Sequence, residues 1–371
     1  NRAGLNIVKN TIRQIVRGPA RLRRSRFLLL GGLIVVLAAA VFLFRNHVRS
    51  PAHHALYFWQ TEWSASPALR DSLTESGIDK LYMRFFDVEW NAGSHTTNPV
   101  SPLRLRSELP KNVEIIPVVY LVNEVFLRID DDDVPLLAKH VWEYVQSMSK
   151  ENGVAFRELQ MDCDWTDTTK RSYFRFINIL NESLKQEKKT LSATIRLHQV
   201  KYFDRTGVPP VDRGMLMFYN FGKIQTKEPG ASIFSGSEAA KYSSYISGYP
   251  LKLDVVLPMF SWTVHARDNT VMGLMENVGS DDADHFDGFR LVSENRYVAT
   301  RSFFFRGRYF MDGDILLIEE TTPEITRQAA ALARQGAGWH QRYETVALFD
   351  LNEQRLKRYS ASQMRSILAQ F

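Results

Sequence analysis

Strand-like apolar runs alternate with amphipathic helix-like runs from residue 53 to residue 371. Runs such as VEIIPVVYLVNEVF have the composition of buried strands, whereas VPLLAKHVWEYVQSMSKENG repeats apolar residues at helical spacing. Eight strand candidates in β/α order predict an α/β fold, a (β/α)8 TIM-type barrel. An open doubly wound sheet is the alternative, although no glycine-rich phosphate turn follows the first strand. The stretch of about 265–320 predicts an α+β insertion before the last strand.

A continuous apolar run precedes the predicted barrel. Residues 27–44 contain no charged or strongly polar side chain, and this length is just sufficient for a bilayer-spanning helix with snorkelling flanks. We therefore predict one N-terminal transmembrane helix, preceded by a basic cytoplasmic segment (1–26) and followed by a linker (45–52) and the barrel domain (53–371). A cleaved signal peptide is the alternative, but no convincing small-x-small cleavage site follows the run.

The charge distribution predicts how the chain is oriented. Eight Lys and Arg residues precede the apolar run, two follow it closely, and no acidic residue occurs in the first 50 positions. The positive-inside rule therefore predicts a bacterial inner-membrane protein with a cytoplasmic N-terminus and a periplasmic or extracellular barrel. Ten of the 47 basic residues lie in those 50 positions, so the rest of the chain holds 37 basic and 41 acidic residues. This mild acidity argues against a nucleic-acid partner.

Metal and cofactor motifs are missing from the sequence. The acidic stretch SDDADHFDG does not have EF-hand spacing, and no zinc, nucleotide or redox motif occurs. The single cysteine excludes an internal disulfide bond. We therefore predict a barrel without a metal ion or cofactor.

Two carboxylates end the fourth predicted strand, RELQMDCDW. Alternation along a strand places Asp162 and Asp164 on the same face, and two close carboxylates on an apolar wall tend to share one proton. Such a pair is suited to acid/base chemistry. Helix capping by the aspartates is the alternative. Barrel enzymes carry their chemistry at the C-terminal strand ends. There we predict a polar and aromatic binding rim that comprises Arg84, Asp87, Tyr120, Trp165, Arg196, His198, Gln199, Tyr219, Asn220 and Trp262.

Short motifs on two strands resemble the chitinase-like barrels of glycoside hydrolase family 18. That family has D-x-D-x-E on strand four, M-x-Y-[DN] on strand six, and an α+β insertion before strand eight. The matching segments here are Asp162-Cys163-Asp164-Trp165-Thr166 and Met217-Phe218-Tyr219-Asn220, with the insertion at about 265–320. The resemblance implies that Asp164 orients or stabilises the substrate, that Asp162 supports it, and that Tyr219 and Asn220 hold an acetamido group.

The resemblance breaks at the proton donor, because Thr166 stands where the family has its catalytic glutamate. We predict Glu124, at the end of the third strand, as the substitute, with Glu62 on the first strand as a second choice. Three hypotheses remain open. The chain is a membrane-anchored glycoside hydrolase that acts on a cell-envelope or extracellular polysaccharide, a catalytically inactive glycan-binding or envelope-assembly subunit, or a purely structural barrel whose rim is covered by the insertion.

Overall fold

The computed structural model describes residues 51–220, 224, 232–275, 278–338 and 341–371. The predicted cytoplasmic segment 1–26, transmembrane helix 27–44 and most of the linker 45–52 lie outside these residues. Within the described part of the chain, no helix has the length and apolar character needed to cross a membrane.

Eight parallel strands form a closed barrel. In chain order they are β1 (His53–Phe58), β2 (Lys80–Asn91), β3 (Glu114–Leu121), β4 (Glu158–Asp162), β5 (Thr190–Arg196), β6 (Arg213–Met217), β7 (Leu253–Pro258) and β8 (Thr345–Phe349). Each strand pairs with the next, and β1 pairs with both β8 and β2, so the sheet has no open edge among these eight strands. The prediction of a TIM-type barrel rather than an open sheet is confirmed.

Helices pack around the outside of the barrel. The longer ones are α1 (Pro67–Ser76), α2 (Val134–Glu151), α3 (Lys170–Gln186), α4 (Gly236–Ile246), α5 (Pro323–Ala337) and α6 (Ala361–Leu368). Short helices span Glu124–Arg128, Leu197–Lys201, Phe203–Thr206, Ser280–Asp284 and Glu353–Leu356, and a 3-10 turn spans Asp131–Asp133. Apolar residues at helical spacing bury one face of each long helix, as Val141 and Val145 do on α2.

The β/α order is interrupted between β2 and β3, where the described chain contains no helix. Strands Thr96–Val100 and Arg104–Leu105 occupy this connection; the first extends β2 as an antiparallel neighbour, and the second pairs with Glu62–Trp63. Pro99, Pro102 and Pro110 lie in the connection, and proline lacks the N–H group that helix hydrogen bonds require.

A polar layer crosses the barrel interior below the C-terminal strand ends. Tyr57 and Tyr82 stack with ring centroids 4.8 Å apart, and the Tyr57 hydroxyl donates to Gln160 Oε1 at 2.5 Å. Gln160 in turn donates to Ser192 Oγ at 3.2 Å, and Ser192 donates to Glu158 at 2.6 Å. These bonds satisfy buried polar groups and fix the inward orientation of β4.

The insertion between β7 and β8 has its own sheet and core. Strands Ser261–Arg267, Thr270–Met275, Phe289–Ser293, Arg296–Ala299 and Ile315–Glu320 form a five-stranded antiparallel sheet, and Phe303–Phe305 pairs with Arg308–Phe310 in a hairpin. Phe305, Phe310 and Ile318 belong to a separate hydrophobic cluster beneath that sheet. The insertion begins at Ser261, slightly before the predicted start, so Trp262 lies on its first strand.

Candidate functional site

Two adjoining cavities open at the C-terminal ends of the barrel strands. The mouth cavity has a volume of about 430 Å³ and is lined by Trp59, Gln60, Arg84, Tyr120, Asp162, Arg196, Met217, Tyr219, Asn220, Phe260, Ser261, Trp262, Leu274, Phe349, Asp350 and Asn352. The side cavity, of about 340 Å³, is lined by Asp164, Arg196, Leu197, His198, Met217, Tyr219, Asn220 and Tyr242. Four residues line both cavities, so the two form a continuous cleft.

A ladder of side-chain pairs between β4 and β5 positions the two aspartates. The strand register places Gln160 beside Ser192, so that Asp162 falls beside Thr194. Thr194 Oγ1 donates to Asp162 Oδ1 at 2.5 Å. The next pair along the ladder is Asp164 with Arg196.

Arg196 bridges both carboxylates. Its Nη2 lies 3.3 Å from Asp162 Oδ1, and its Nε donates to Asp164 Oδ1. Asp162 is only 3% exposed, whereas the Asp164 side chain is 52% exposed. The partners of both aspartates therefore lie on β5, and not at the start of α3 as helix capping would require.

The electrostatics of this cluster combine burial with a bridging cation. Burial raises the pKa of Asp162, while the Arg196 guanidinium acts in the opposite direction. Burial alone would lower the pKa of Arg196, but Asp162 and Asp164 raise it above its usual range. Arg196 therefore stays charged and offsets part of the effect of burial on Asp162. Thr166, at the donor position of the resemblance, contributes only a hydroxyl, which lies 2.9 Å from Thr168 Oγ1.

Aromatic rings form a wall of the mouth cavity. Phe349 lies 5.6 Å from the ring of Trp59 and also stacks on Tyr219 at 5.6 Å. The Arg84 guanidinium lies 5.6 Å from the centre of the Trp59 ring. Burial, with smaller contributions led by Asp164, raises the pKa of Tyr120 to about 12, so its phenol is neutral at physiological pH. The wall combines apolar ring faces with hydroxyl groups that can form hydrogen bonds.

Most of the predicted rim residues lie in this cleft. Arg84, Tyr120, Tyr219, Asn220 and Trp262 line the mouth cavity, His198 lines the side cavity, and Arg196 lines both. Burial lowers the pKa of His198, which favours a neutral imidazole. Asp87 lines neither cavity; it is 3% exposed and paired with Arg84.

Three other predicted site residues also lie outside both cavities. Glu124 begins a short helix, and its half-exposed carboxylate lies 3.4 Å from Arg128 rather than in either cavity. Trp165 faces outward from the end of β4, where alternation sends every second side chain. Its ring stacks on Tyr173 at 5.3 Å, so it packs against α3 instead of contacting a ligand. Gln199 is fully buried and accepts the Arg196 backbone N–H at 2.7 Å, which gives it a structural role.

Several lining residues have no counterpart among the strand-end and tryptophan candidates of the sequence: Gln60, Met217, Phe260, Ser261, Leu274, Phe349 and Asn352. The strand-end rule points to Asp350, which directly follows β8, and Trp59 directly follows β1. Leu274 comes from the second insertion strand, and no sequence pattern relates that strand to the barrel. Asp350 matters most, because it adds a second carboxylate to the mouth cavity.

Comparisons with solved structures bear on this geometry. The chain is similar to the spore cortex-lytic enzyme SleL of Bacillus cereus, with 14% identity, a TM-score of 0.52, and coverage of 87% of this chain and 75% of that one. It is also similar to SleL of Bacillus megaterium, with 11% identity, a TM-score of 0.53 and the same coverage. For the C-terminal domain of a putative chitinase from Desulfitobacterium hafniense, identity is 10%, the TM-score is 0.52, and coverage is 86% of this chain and 99% of that one.

The predicted resemblance to chitinase-like barrels is confirmed at the level of the fold. No family model matches the chain, and no curated protein matches it. At such low identity the similarity establishes the barrel and its strand order, and the chemistry must be argued from the cleft itself.

Proposed function

We propose that this protein binds a cell-envelope or extracellular glycan in its mouth cavity. The observation that carries the proposal is the composition of that cavity, in which Trp59, Trp262 and Phe349 stand beside Asp162, Asn220 and Asp350. Sugars present C–H faces that pack on aromatic rings, and hydroxyls that bond to carboxylates and amides. A cavity of about 430 Å³ is within the usual size of a small-ligand pocket and accommodates one or two sugar rings.

The likeness to SleL and to a putative chitinase supports a polysaccharide as the ligand class. Binding without hydrolysis is favoured by two features of the cleft. Thr166 supplies no carboxylic acid, and the carboxyl groups of Asp162 and Asp164 both already lie in contact with Arg196. Sugar hydroxyls are suitable donors to such carboxylates.

Hydrolysis is the second candidate, and one specific observation favours it. Asp162 ends β4 and Asp350 follows β8, and these strands lie on opposite sides of the eight-stranded ring. Two carboxyl groups that face each other across a sugar site are the arrangement that glycosidases use. In this candidate Asp162, whose pKa is raised by burial, would hold the proton.

Calorimetric titration with chito-oligosaccharides and with glycan strands from peptidoglycan tests the proposal. We expect Trp59→Ala to lower affinity about tenfold, since a ring contact is worth about 0.5–1.5 kcal/mol beyond its buried area. Asp164→Asn should lower it only a few-fold. Asp287→Asn is the matched control, because Asp287 also pairs with an arginine, Arg301, but on the insertion and with a 94% exposed side chain. A protein that binds none of these glycans would contradict the proposal.

Release of reducing ends from the same glycans separates the two candidates. A binding protein releases none. A hydrolase releases them and loses about a hundredfold or more in rate on Asp350→Asn or Asp162→Asn, as expected when a positioned acid or base is removed. That result would replace the binding proposal with the hydrolase.

We further propose that residues 27–44 anchor the chain in the bacterial inner membrane with the barrel on the outer side. The basic asymmetry of the flanking segments supports this orientation. Protease added to spheroplasts should then digest the barrel while a cytoplasmic N-terminal tag survives. Protection of the barrel in intact spheroplasts would contradict it.

A further inference from the structure

A cluster of tyrosines around one lysine adjoins the side cavity. The Lys201 Nζ lies 5.2 Å from the ring centroid of Tyr202, 5.3 Å from that of Tyr242 and 5.5 Å from that of Tyr245. We name these four residues the tyrosine platform. Tyr242 also lines the side cavity, so the platform continues the cleft beyond Asp164 and His198.

The local fold explains why these side chains meet. Arg196 ends β5, and the short helix Leu197–Lys201 follows it directly, which brings Lys201 and Tyr202 to the same barrel end as the cavities. Helix α4, which follows β6 and carries Tyr242 and Tyr245, packs against that short helix. The platform is therefore built from two elements that also bound the cleft.

The rings of the platform are accessible to a ligand. Tyr202 is 45% exposed and Tyr245 is 43% exposed, so both present a large part of their surface to solvent. Single exposed aromatic residues are common, but a group of them beside a cavity indicates a contact surface.

Lys201 differs from the other cations around the cleft. Among the residues that the structure describes, no carboxylate lies within ion-pair distance of its Nζ, whereas Arg196 is paired with Asp164 and Arg205 with Asp167. A hydrogen bond with the Tyr202 side chain raises the pKa of Lys201, so the ammonium group is charged at physiological pH. Cation–π contacts hold this charge at a defined position on the ring faces.

We propose that the side cavity and the tyrosine platform bind a carboxylate-bearing sugar of the glycan. The sugar ring packs on Tyr242 and Tyr245, and its carboxylate pairs with Lys201. This inference rests on the proposed function and specifies its ligand class.

The charges of the neighbouring mouth cavity determine which sugar of the glycan is favoured in each cavity. Asp162 and Asp350 repel a second carboxylate there, and only Arg196 among the lining cations is shared with the side cavity. A neutral sugar is therefore favoured in the mouth cavity, and an acidic sugar is favoured at the platform. The selectivity arises from like-charge repulsion at one end and the Lys201 ammonium group at the other.

The test compares acidic oligosaccharides with their carboxyl-reduced forms. The probes are oligosaccharides from polygalacturonate and from hyaluronate, titrated into the full chain at low and high salt. We expect the acidic form to bind about fivefold more tightly than the reduced form, in line with one solvent-exposed ion pair, and the preference to shrink at high salt. Lys201→Met should abolish the preference, and Lys201→Arg should retain it.

Two matched controls keep the result specific to the platform. Lys139→Met removes a lysine of α2 that pairs with Glu143 at 3.8 Å, and it should leave the preference intact. Tyr245→Ala should weaken binding of both the acidic and the reduced oligosaccharide several-fold. Tyr309→Ala removes a ring of similar exposure from the insertion hairpin and should weaken binding of neither.

The inference is overturned if the unmodified protein shows no preference for the acidic form, or if Lys201→Met keeps it. Chito-oligosaccharides serve as the reference ligand for the mouth cavity. If the protein binds chito-oligosaccharides and loses that affinity on Trp59→Ala, but shows no preference for acidic over reduced oligosaccharides, the platform is rejected and the proposed function stands. A protein that binds no glycan of either kind would reject both.

Discussion

Replacing Arg196 by Met should destabilise the barrel more than removing its half-exposed partner Asp164. The substitution keeps most of the apolar stem but leaves Asp162, which is 3% exposed, without its counter-charge. Removing one partner of a buried ion pair costs about 3–5 kcal/mol, and we expect about 3 kcal/mol because Arg196 itself is 22% exposed. Asp164→Asn removes only the half-exposed partner and should cost less than about 1 kcal/mol.

The expected change in melting temperature follows from the size of the domain. Unfolding entropy is about 2.1 cal/mol/K per residue, which gives about 0.7 kcal/mol/K for about 320 residues between Ala52 and Phe371. A loss of 3 kcal/mol therefore lowers the melting temperature by about 4 °C, against about 1 °C for Asp164→Asn. The double substitution Asp162→Asn with Arg196→Met should recover more than half of the loss, because the uncompensated charge is gone.

The loss should also depend on pH in a defined direction. Burial raises the pKa of Asp162, and without Arg196 this pKa rises further. An acid with a raised pKa in the folded state contributes stability that is complete below its unfolded pKa of about 3.9 and is lost as pH rises through the folded pKa. The deficit of Arg196→Met should therefore be larger at pH 8 than at pH 5.

Thermal unfolding followed by circular dichroism at these two pH values measures each quantity. Equal melting temperatures for Arg196→Met and Asp164→Asn would contradict the assignment of Arg196 as the counter-charge of a buried aspartate. A deficit that shrinks from pH 5 to pH 8 would contradict the sign of the Asp162 shift.

Two further predictions concern the insertion and the outer helices. Burial alone would raise the pKa of Asp314, but hydrogen bonds led by those from Arg267 lower it to about 2. The insertion should therefore lose stability as pH falls from about 4 to 2. Tyrosine and tryptophan fluorescence should follow this loss. Asp314→Asn should remove that acid transition. Gly336→Ala should lower the free energy of unfolding by about 1–3 kcal/mol, because an added Cβ would lie 2.4 Å from Ser243 O. Gly248→Ala is the control, since the atom nearest to its added Cβ lies at 3.8 Å, and it should have little effect in the same thermal assay.

The sequence predicted the barrel because its signals are local. Buried parallel strands are continuous apolar runs, and the helices between them have apolar residues at helical spacing, so both are visible without knowing any tertiary contact. The missing helix between β2 and β3 has a local cause in Pro99, Pro102 and Pro110. Strand alternation also separated the inward Asp162 from the outward Cys163.

The site could be predicted only in part, because lateral contacts depend on register. Alternation indicates that Asp164 shares a face with Asp162, but only the pairing of β4 with β5 brings Arg196 between them. Glu124 was a reasonable substitute donor by strand order, yet the chain turns into a short helix at that point and directs the carboxylate toward Arg128. Leu274 reaches the cleft through the folding of the insertion, which involves contacts far apart in the chain.

The ladder between β4 and β5 connects these results to the choice between binding and hydrolysis. A carboxyl group donates a proton only if its surroundings favour the neutral form; burial favours that form for Asp162, and Arg196 opposes it. Hydrolysis also requires a second carboxyl group across the mouth cavity, and among the described lining residues Asp350 is the acidic side chain that remains. Hydrolysis would thus depend on β8, whereas glycan binding depends on the aromatic wall and on carboxylates that accept hydrogen bonds. A loss of turnover on Asp350→Asn with unchanged glycan affinity would identify an enzyme, and a loss of affinity without any turnover would identify a binding protein.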